Sequence, residues 1–391
     1  MKNARPYGGT EVLDMLLGGG RILVLDKRIE LTCPRLRVID VEGRTIVPGL
    51  VDGHVHFIGA AGDEGLPSQT PEIFVSHFVS AGVTTAVGCL GFGRATEDVR
   101  HLYAKALALE TEGMSTYVYT GSFRVPSPTI TGHVSEDIIL MEKVLGVKVA
   151  IADAYSSQPT VPELARLASE SYIAGLQAGK PGLLHIHVGH HGDPFEVMRQ
   201  VQKVSGVPFK QFVLTHCNWS GDLVEGAARY ALDGGFIDLS TVLDPARGSI
   251  TSVRASVAVK RLMAAGVPFE NITMSSDGNV GMPIRKPDGT KVALYLERVG
   301  SLWDEVRALA LEGLGLREAV ALAGRNPAIR LGLYPSKGEI RIDSDADLLV
   351  LEEDLTIKMT FVRGVLGHDA DHETMKSLFE TKAGGRGETV R

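Results

Sequence analysis

Cysteine is scarce in this chain and nowhere paired. Cys33, Cys89 and Cys217 are the three in 391 residues. They lie far apart and form no CxxC, which excludes a disulfide framework and a zinc knuckle. That usage fits a reducing cytoplasm. Long apolar runs are missing as well: no uninterrupted stretch is long enough to cross a membrane, and Met1-Lys-Asn-Ala-Arg-Pro lacks the apolar centre of a signal peptide. There is no surplus of positive charge. The formal net charge is −7, which argues against nucleic acid as the main partner. What is present is 44% hydrophobic and 22% charged residues, an ordinary globular composition at a length that suits one large domain and one small one.

The first segment is β-like, with Arg21-Ile-Leu-Val-Leu-Asp and Leu36-Arg-Val-Ile-Asp-Val as strands. From Ile46 onward, apolar runs alternate with stretches of helical period. Eight strand candidates follow: Thr45–His56, Thr84–Cys89, Ser115–Gly121, Val147–Asp153, Gly182–Gly189, Phe212–Asn218, Phe236–Thr241 and Asn271–Asp277. The helical stretches include 71–80, Glu97–Glu112, Pro162–Ala178, Asp193–Val204, Ser252–Ala265 and Leu316–Ala323. The pattern predicts an α/β fold, a (β/α)8 TIM-type barrel. A doubly wound sheet is the alternative, but it more often carries a glycine-rich phosphate loop after its first strand, and none is present. After Asn326-Pro the chain turns β-like again, at Gly338-Glu-Ile-Arg-Ile, Ala346-Asp-Leu-Leu-Val-Leu and Ile357-Lys-Met-Thr-Phe-Val. Both ends are therefore expected to pair into one discontinuous β-sandwich domain: residues 1–47 and 335–391 flank a barrel at 48–334. Residues 382–388 read as a loose tail.

In a barrel of this kind, reactive groups collect at the C-terminal ends of the strands. Strand one ends in His54-Val-His56, whose side chains share one face. Strand four carries Lys148 within an apolar run, where an ammonium must find a partner, lose its charge or be modified. Strand five carries His185-Ile-His187, strand six ends in Thr215-His216, and strand eight ends in Ser275-Ser-Asp277. Imidazole and carboxylate suit zinc and related divalent ions. Two metals ~3.5–4 Å apart can clamp a hydroxide and polarise a carbonyl, and a nearby carboxylate can pass the proton to a leaving amine. An unmodified Lys148 ammonium would repel such cations.

With these residues the chain resembles the amidohydrolase superfamily, and within it the isoaspartyl (β-aspartyl) dipeptidases. The stretches that carry the resemblance are Gly53-His-Val-His-Phe-Ile-Gly, Val125-Pro-Ser-Pro-Thr-Ile-Thr-Gly, Gly146-Val-Lys-Val-Ala-Ile-Ala-Asp, Gly179-Lys-Pro-Gly and Ser275-Ser-Asp-Gly-Asn. The resemblance implies a hydrolase of amide or peptide bonds with two divalent metal ions, zinc by family expectation. His54 and His56 would bind the more buried ion, and His187 and His216 the more exposed one. Lys148 would be carbamylated and bridge the two. Asp277 would be a ligand and the catalytic proton shuttle. His185 shares a face with His187, so exchanged roles stay open. A symmetric homo-oligomer is also implied.

Departures from that family concern the substrate. Asp63 stands where the dipeptidases carry a glutamate that holds the substrate's α-amino group. Phe123 replaces a tyrosine, Tyr155 and Trp219 replace carboxylate-gripping arginines, Phe92 replaces a small hydroxyl residue, and Gly281 replaces a serine. The metal machinery is retained while the dipeptide-reading set is largely lost. The expected substrate is a less anionic small-molecule amide, cyclic or N-acyl, or a dipeptide if Arg124 or Arg247 restores the charge. A mononuclear deaminase and a non-catalytic binding protein are the competing readings.

Overall fold

Gly49 divides the long apolar run at Thr45–His56 between two sheets. In the computed structural model, which describes all residues except 61, 287–289, 373, 379 and 381–391, Thr45–Pro48 pairs antiparallel with Leu348–Leu351. Leu50–Val55 (β1) then opens a parallel sheet. The crossover needs glycine. A Cβ at position 49 would sit 2.3 Å from Thr84 Oγ1 and 2.5 Å from its Cγ2, inside van der Waals contact.

The parallel sheet has eight strands in sequential order. After β1 come Val83–Gly88 (β2), Ser115–Gly121 (β3), Val144–Ile151 (β4), Leu183–Val188 (β5), Phe212–Thr215 (β6), Phe236–Ser240 (β7) and Ile272–Ser275 (β8). Just beyond β8 the ring closes on β1: Asp277 N donates to His54 O at 3.0 Å and His56 N donates to Gly278 O at 3.1 Å. Helices fill the connections, among them Val99–Thr111, Val161–Ala178, Pro194–Ser205 and Gly221–Leu232. β4 and β5 are buried along their whole length, as parallel strands covered on both faces must be. This is the (β/α)8 barrel expected from the alternation of periods. β6 and β8 end earlier than the expected Asn218 and Asp277, and helix 71–80 shortens to Val75–Val79. A hairpin after β8, Gly281–Arg285 paired with Lys291–Leu296, had no expected counterpart.

The two chain ends form one five-stranded sheet in the order Arg5–Pro6, Thr45–Pro48, Leu348–Leu351, Ile357–Val362, Val365–Asp369. Alternation along its strands gives it two cores. Ile46, Leu348 and Val350 face Met15 and Ile22 in the small domain, whereas Val47, Leu349 and Leu351 join the barrel's core. The tail at 382–388 lies outside the described residues.

Lys337 ties the two parts together. It is 4% exposed, and its Nζ donates to Asp347 Oδ2 at 2.6 Å and to Ser115 Oγ of β3 at 2.7 Å, with Asp345 Oδ2 at 2.7 Å. Removing one partner of a buried pair strands the other charges. Lys337→Ala is expected to lower the unfolding free energy by about 3–5 kcal/mol in urea titrations, and a change below 1 kcal/mol would contradict this coupling.

Candidate metal-dependent active site

The barrel brings six polar side chains from five strand ends to one point. His54 Nε2 lies 3.2 Å from Lys148 Nζ and 3.3 Å from Asp277 Oδ1. His56 Nε2 is 3.2 Å from that same carboxylate oxygen, and His216 Nδ1 is 3.8 Å from Asp277 Oδ2. The rings of His187 and His216 are 4.5 Å apart. Donor atoms of His54, His216 and Asp277 lie within 4.8 Å of one another, as do those of His54, His56 and Cys89. His216 and Asp277 sit just past their strands with φ of 67° and 54°, a left-handed conformation that turns each side chain inward at some cost in backbone energy. His185 points to the other side of His54, with Nε2 3.2 Å from His54 Nδ1, and does not line the cavity above.

That cavity has a volume of about 620 Å³ and opens over the cluster. Asp63, Phe92, Phe123, Tyr155, Trp219 and Gly281 all line it, as do His190 and His191 and the start of the unexpected hairpin. Tyr155 stacks on Phe92 at 4.6 Å and 15°, and its hydroxyl donates to Asp63 Oδ2 at 3.2 Å. Phe123 packs on His187 at 4.4 Å, and Trp219 meets His190 edge-on at 5.1 Å. No arginine or lysine lines the cavity among the described residues. Arg247 is engaged elsewhere, 3.3 Å from Glu297 Oε2.

A family model described as "Amidohydrolase family" matches residues 45–367. The chain belongs to the amidohydrolase family. Among solved structures, this amidohydrolase is similar to the β-aspartyl dipeptidase of the thermophilic keratin degrader Fervidobacterium islandicum AW-1 in complex with β-Asp-Leu dipeptide. The two are 33% identical over 97% of this chain and 99% of that one, with a TM-score of 0.86. A D-hydantoinase structure (18% identity, 97% and 96% of the chains, TM-score 0.69) and the dihydropyrimidinase of Brevibacillus agri NCHU1002 (16%, 96% of each, 0.66) share the fold. The amidohydrolase is accordingly a metal-dependent hydrolase acting on C–N bonds.

Its donor set fits divalent cations. Burial, reinforced by Lys148, holds the imidazoles of His54 and His185 well below the ordinary histidine range. Burial and the neighbouring His187 do the same to His216. Burial also lowers His187, with Asp153 opposing. Neutral rings keep a lone pair for a metal. His56 Nδ1 and His187 Nδ1 have no hydrogen-bond partner among the described residues. Lys148 is fully buried, and burial lowers its pKa.

Several residues of the site were not evident in the sequence. Asp153 Oδ2 lies 2.9 Å from His187 Nε2, and Ser240 Oγ lies 2.6 Å from His216 Nδ1. Each pairing crosses from one strand end to the next, and only the strand register could reveal it. Cys89 is buried, with its thiol pushed up to about 12 by desolvation, and the spacing of the cysteines carries no sign of its place beside His54 and His56. The dipeptide His190-His191 was a visible signal, two residues beyond the fifth strand.

The depressed imidazoles have a testable consequence. An unfolded chain protonates histidine near pH 6.5, whereas buried His185 stays neutral. Below that pH the unfolded state therefore binds the extra proton, and the folded state loses stability as pH falls. His185→Phe, which can still stack on Tyr119, removes this one contribution. In the metal-free proteins the variant is expected to gain on wild type by about 1.4 kcal/mol per pH unit below 6.5, read from urea titrations at pH 7.5 and 5.5. An unchanged gap would contradict the assignment.

Proposed function

We propose that this amidohydrolase cleaves an amide bond in a small substrate without the two carboxylates of an isoaspartyl dipeptide, using a binuclear centre. His54 and His56 would hold one ion, His187 and His216 the other, and Asp277 would be a further ligand. Zinc is the family expectation, and the same ligands accept manganese, cobalt or iron. When bound, the ions supply Lewis acidity toward a carbonyl and acidify water toward neutral pH. As a carbamate, Lys148 would supply an anionic ligand to both. Only a neutral amine reacts with CO2, and burial favours that form of Lys148; the reaction joins nitrogen to carbon and releases one proton, leaving an anion in place of a neutral amine.

Asp277 is the proton shuttle. Its carboxylate lines the cavity floor within 3.2–3.8 Å of three imidazoles. From there it takes the proton of the attacking water and hands it to the leaving amine, a role worth ~10²–10⁴ in rate. Phe123 and His187 wall the approach with their packed rings, and the Phe92–Tyr155 stack closes the side toward Asp63. Asp63 is already hydrogen-bonded to the Tyr155 hydroxyl, which weakens it as a receptor for a free α-amine.

The observation that carries the substrate reading is the absence of arginine and lysine from the described cavity lining. A carboxylate is bound best by a bidentate guanidinium, and a buried carboxylate left unpaired loses its hydration without return. The F. islandicum relative was solved with β-Asp-Leu, yet Tyr155 and Trp219 offer such a ligand no positive charge. The test is a kinetic screen of the metal-loaded enzyme on β-Asp-Leu, neutral N-acyl amino acid amides and cyclic amides. The neutral amides are expected to exceed β-Asp-Leu in kcat/KM by more than ~10-fold, and efficient turnover of β-Asp-Leu would sink the reading. On the preferred substrate, Asp277→Asn is expected to lower kcat by ~10²–10⁴; a loss of less than tenfold would remove Asp277 as the shuttle.

A further inference from the structure

The described cavity lining has no arginine or lysine, yet an arginine adjoins it in the chain. Arg247 immediately precedes Gly248, Ser249, Ile250 and Thr251, the part of the loop after β7 that lines the cavity. Its Nη1 lies 3.3 Å from Glu297 Oε2. Glu297 directly follows the second strand of the hairpin, and its backbone pairs with the approach to the first. Glu297 N donates to Val280 O at 2.9 Å, and Asn279 N donates to Glu297 O at 2.9 Å. Val280 and Gly281 line the cavity as well. The ion pair therefore joins two segments that wall the cavity while neither partner lines it. The partners are held unequally: the Glu297 side chain is 1% exposed and that of Arg247 is 39% exposed. Glu297 Oε1 has no hydrogen-bond partner among the described residues. Burial pushes the Glu297 carboxyl up, with the Tyr295 hydroxyl and Arg247 opposing. The carboxylate is fixed and depends on the guanidinium; the guanidinium, partly in solvent, has water as an alternative.

We propose that Glu297 sets the substrate range from outside the cavity lining: by holding Arg247 it withholds the cation that a substrate carboxylate needs. Glu297 is a positioning residue, since it acts through Arg247. The inference rests on the reading that this cavity takes amides without the two isoaspartyl carboxylates, and it gives that reading a physical cause. A carboxylate in the cavity can recruit Arg247 only by leaving Glu297 buried and unpaired, and stranding a buried charge is the costly part of breaking such a pair. Specificity is a difference of affinities, and a site can reject a ligand by denying it a partner. A neutral amide makes no demand on Arg247 and meets no such cost. With the Glu297 carboxylate removed, Arg247 is free to turn to the nearest anion, and a dianionic ligand in the cavity supplies one.

The test compares full-length wild type, Glu297→Met and the double variant Arg247→Met/Glu297→Met. Methionine keeps the bulk of glutamate and suits a buried position. Calorimetry on the metal-free proteins measures binding of β-Asp-Leu, which carries two carboxylates, and of the neutral N-acetylleucinamide. Glu297→Met is expected to bind β-Asp-Leu ~10–100-fold more tightly than wild type, the worth of one charge-assisted pairing. The double variant is expected to return to wild-type affinity, and the neutral amide to bind all three proteins alike. An unchanged affinity of Glu297→Met for β-Asp-Leu overturns the proposal, and so does binding too weak to measure. A gain that persists in the double variant also overturns it, because the lost negative charge and not Arg247 is then the cause. Parallel changes for both ligands mark a merely structural role and overturn it too. If Glu297→Met does not fold, Glu297→Gln with and without Arg247→Met decides in the same way. Wild-type turnover judges the substrate reading separately: efficient hydrolysis of β-Asp-Leu sinks that reading, and the calorimetry still decides whether Glu297 withholds Arg247.

Discussion

Two backbone hydrogen bonds govern the arrangement of this molecule. Asp277 N to His54 O and His56 N to Gly278 O join the last strand of the barrel to the first. They close a sheet that would otherwise leave two edges, and in doing so they set Asp277 against the His-x-His pair that lies more than two hundred residues earlier. Asp52 reinforces the seam, its Oδ1 accepting from His54 N at 3.3 Å and Ser276 N at 3.0 Å. Burial pushes that carboxyl up to about 7, so the seam is also a place where a carboxylate has been drawn out of water. The closure of the fold and the assembly of the site are one event.

The cluster at the seam is an unfavourable thing to bury in isolation. Five imidazoles and a lysine gather there, with the carboxylates of Asp277 and Asp153 beside them. The low-dielectric surroundings disfavour the charged forms of His54, His185, His216 and Lys148, and the Nδ1 atoms of His56, His185 and His187 have no hydrogen-bond partner among the described residues. Structures keep such unsatisfied groups where a ligand completes them. The left-handed backbone at His216 and Asp277 points the same way, since non-glycine residues hold that conformation where the surroundings impose it.

Much of this was legible in the chain. The alternation of periods was enough for the barrel, because parallel strands buried on both faces leave continuous apolar runs. His54, His56, Lys148, His187, His216 and Asp277 were visible because each is a polar residue set into or just after such a run. Other features depended on information that pattern alone does not carry. The split of Thr45–His56 at Gly49 comes from a close approach of Thr84, a contact distant in sequence. Asp153 beside His187 and Ser240 beside His216 follow from strand register. The hairpin at Gly281–Leu296 has weak alternation, with Val292 and Leu294 exposed, and so gave little periodic signal. The role of His185 could not be separated from that of His187 by spacing, because residues two apart on a strand face the same way.

On the proposed reading, chemistry and recognition sit on different parts of this protein. The residues that would activate water sit on barrel strands and their immediate ends, where the closed sheet constrains them. The residues that would read the substrate sit on the loops beyond, and there aromatic groups stand where the resemblance calls for charge. The central claim is that the strand-end cluster, with Lys148 as a bridge, holds two metal ions. Elemental analysis of protein loaded with zinc and bicarbonate, then freed of unbound metal, addresses it most directly. The account predicts two zinc ions per chain, falling when Lys148 is replaced by alanine. A single ion per chain that is indifferent to bicarbonate and to Lys148 would contradict it.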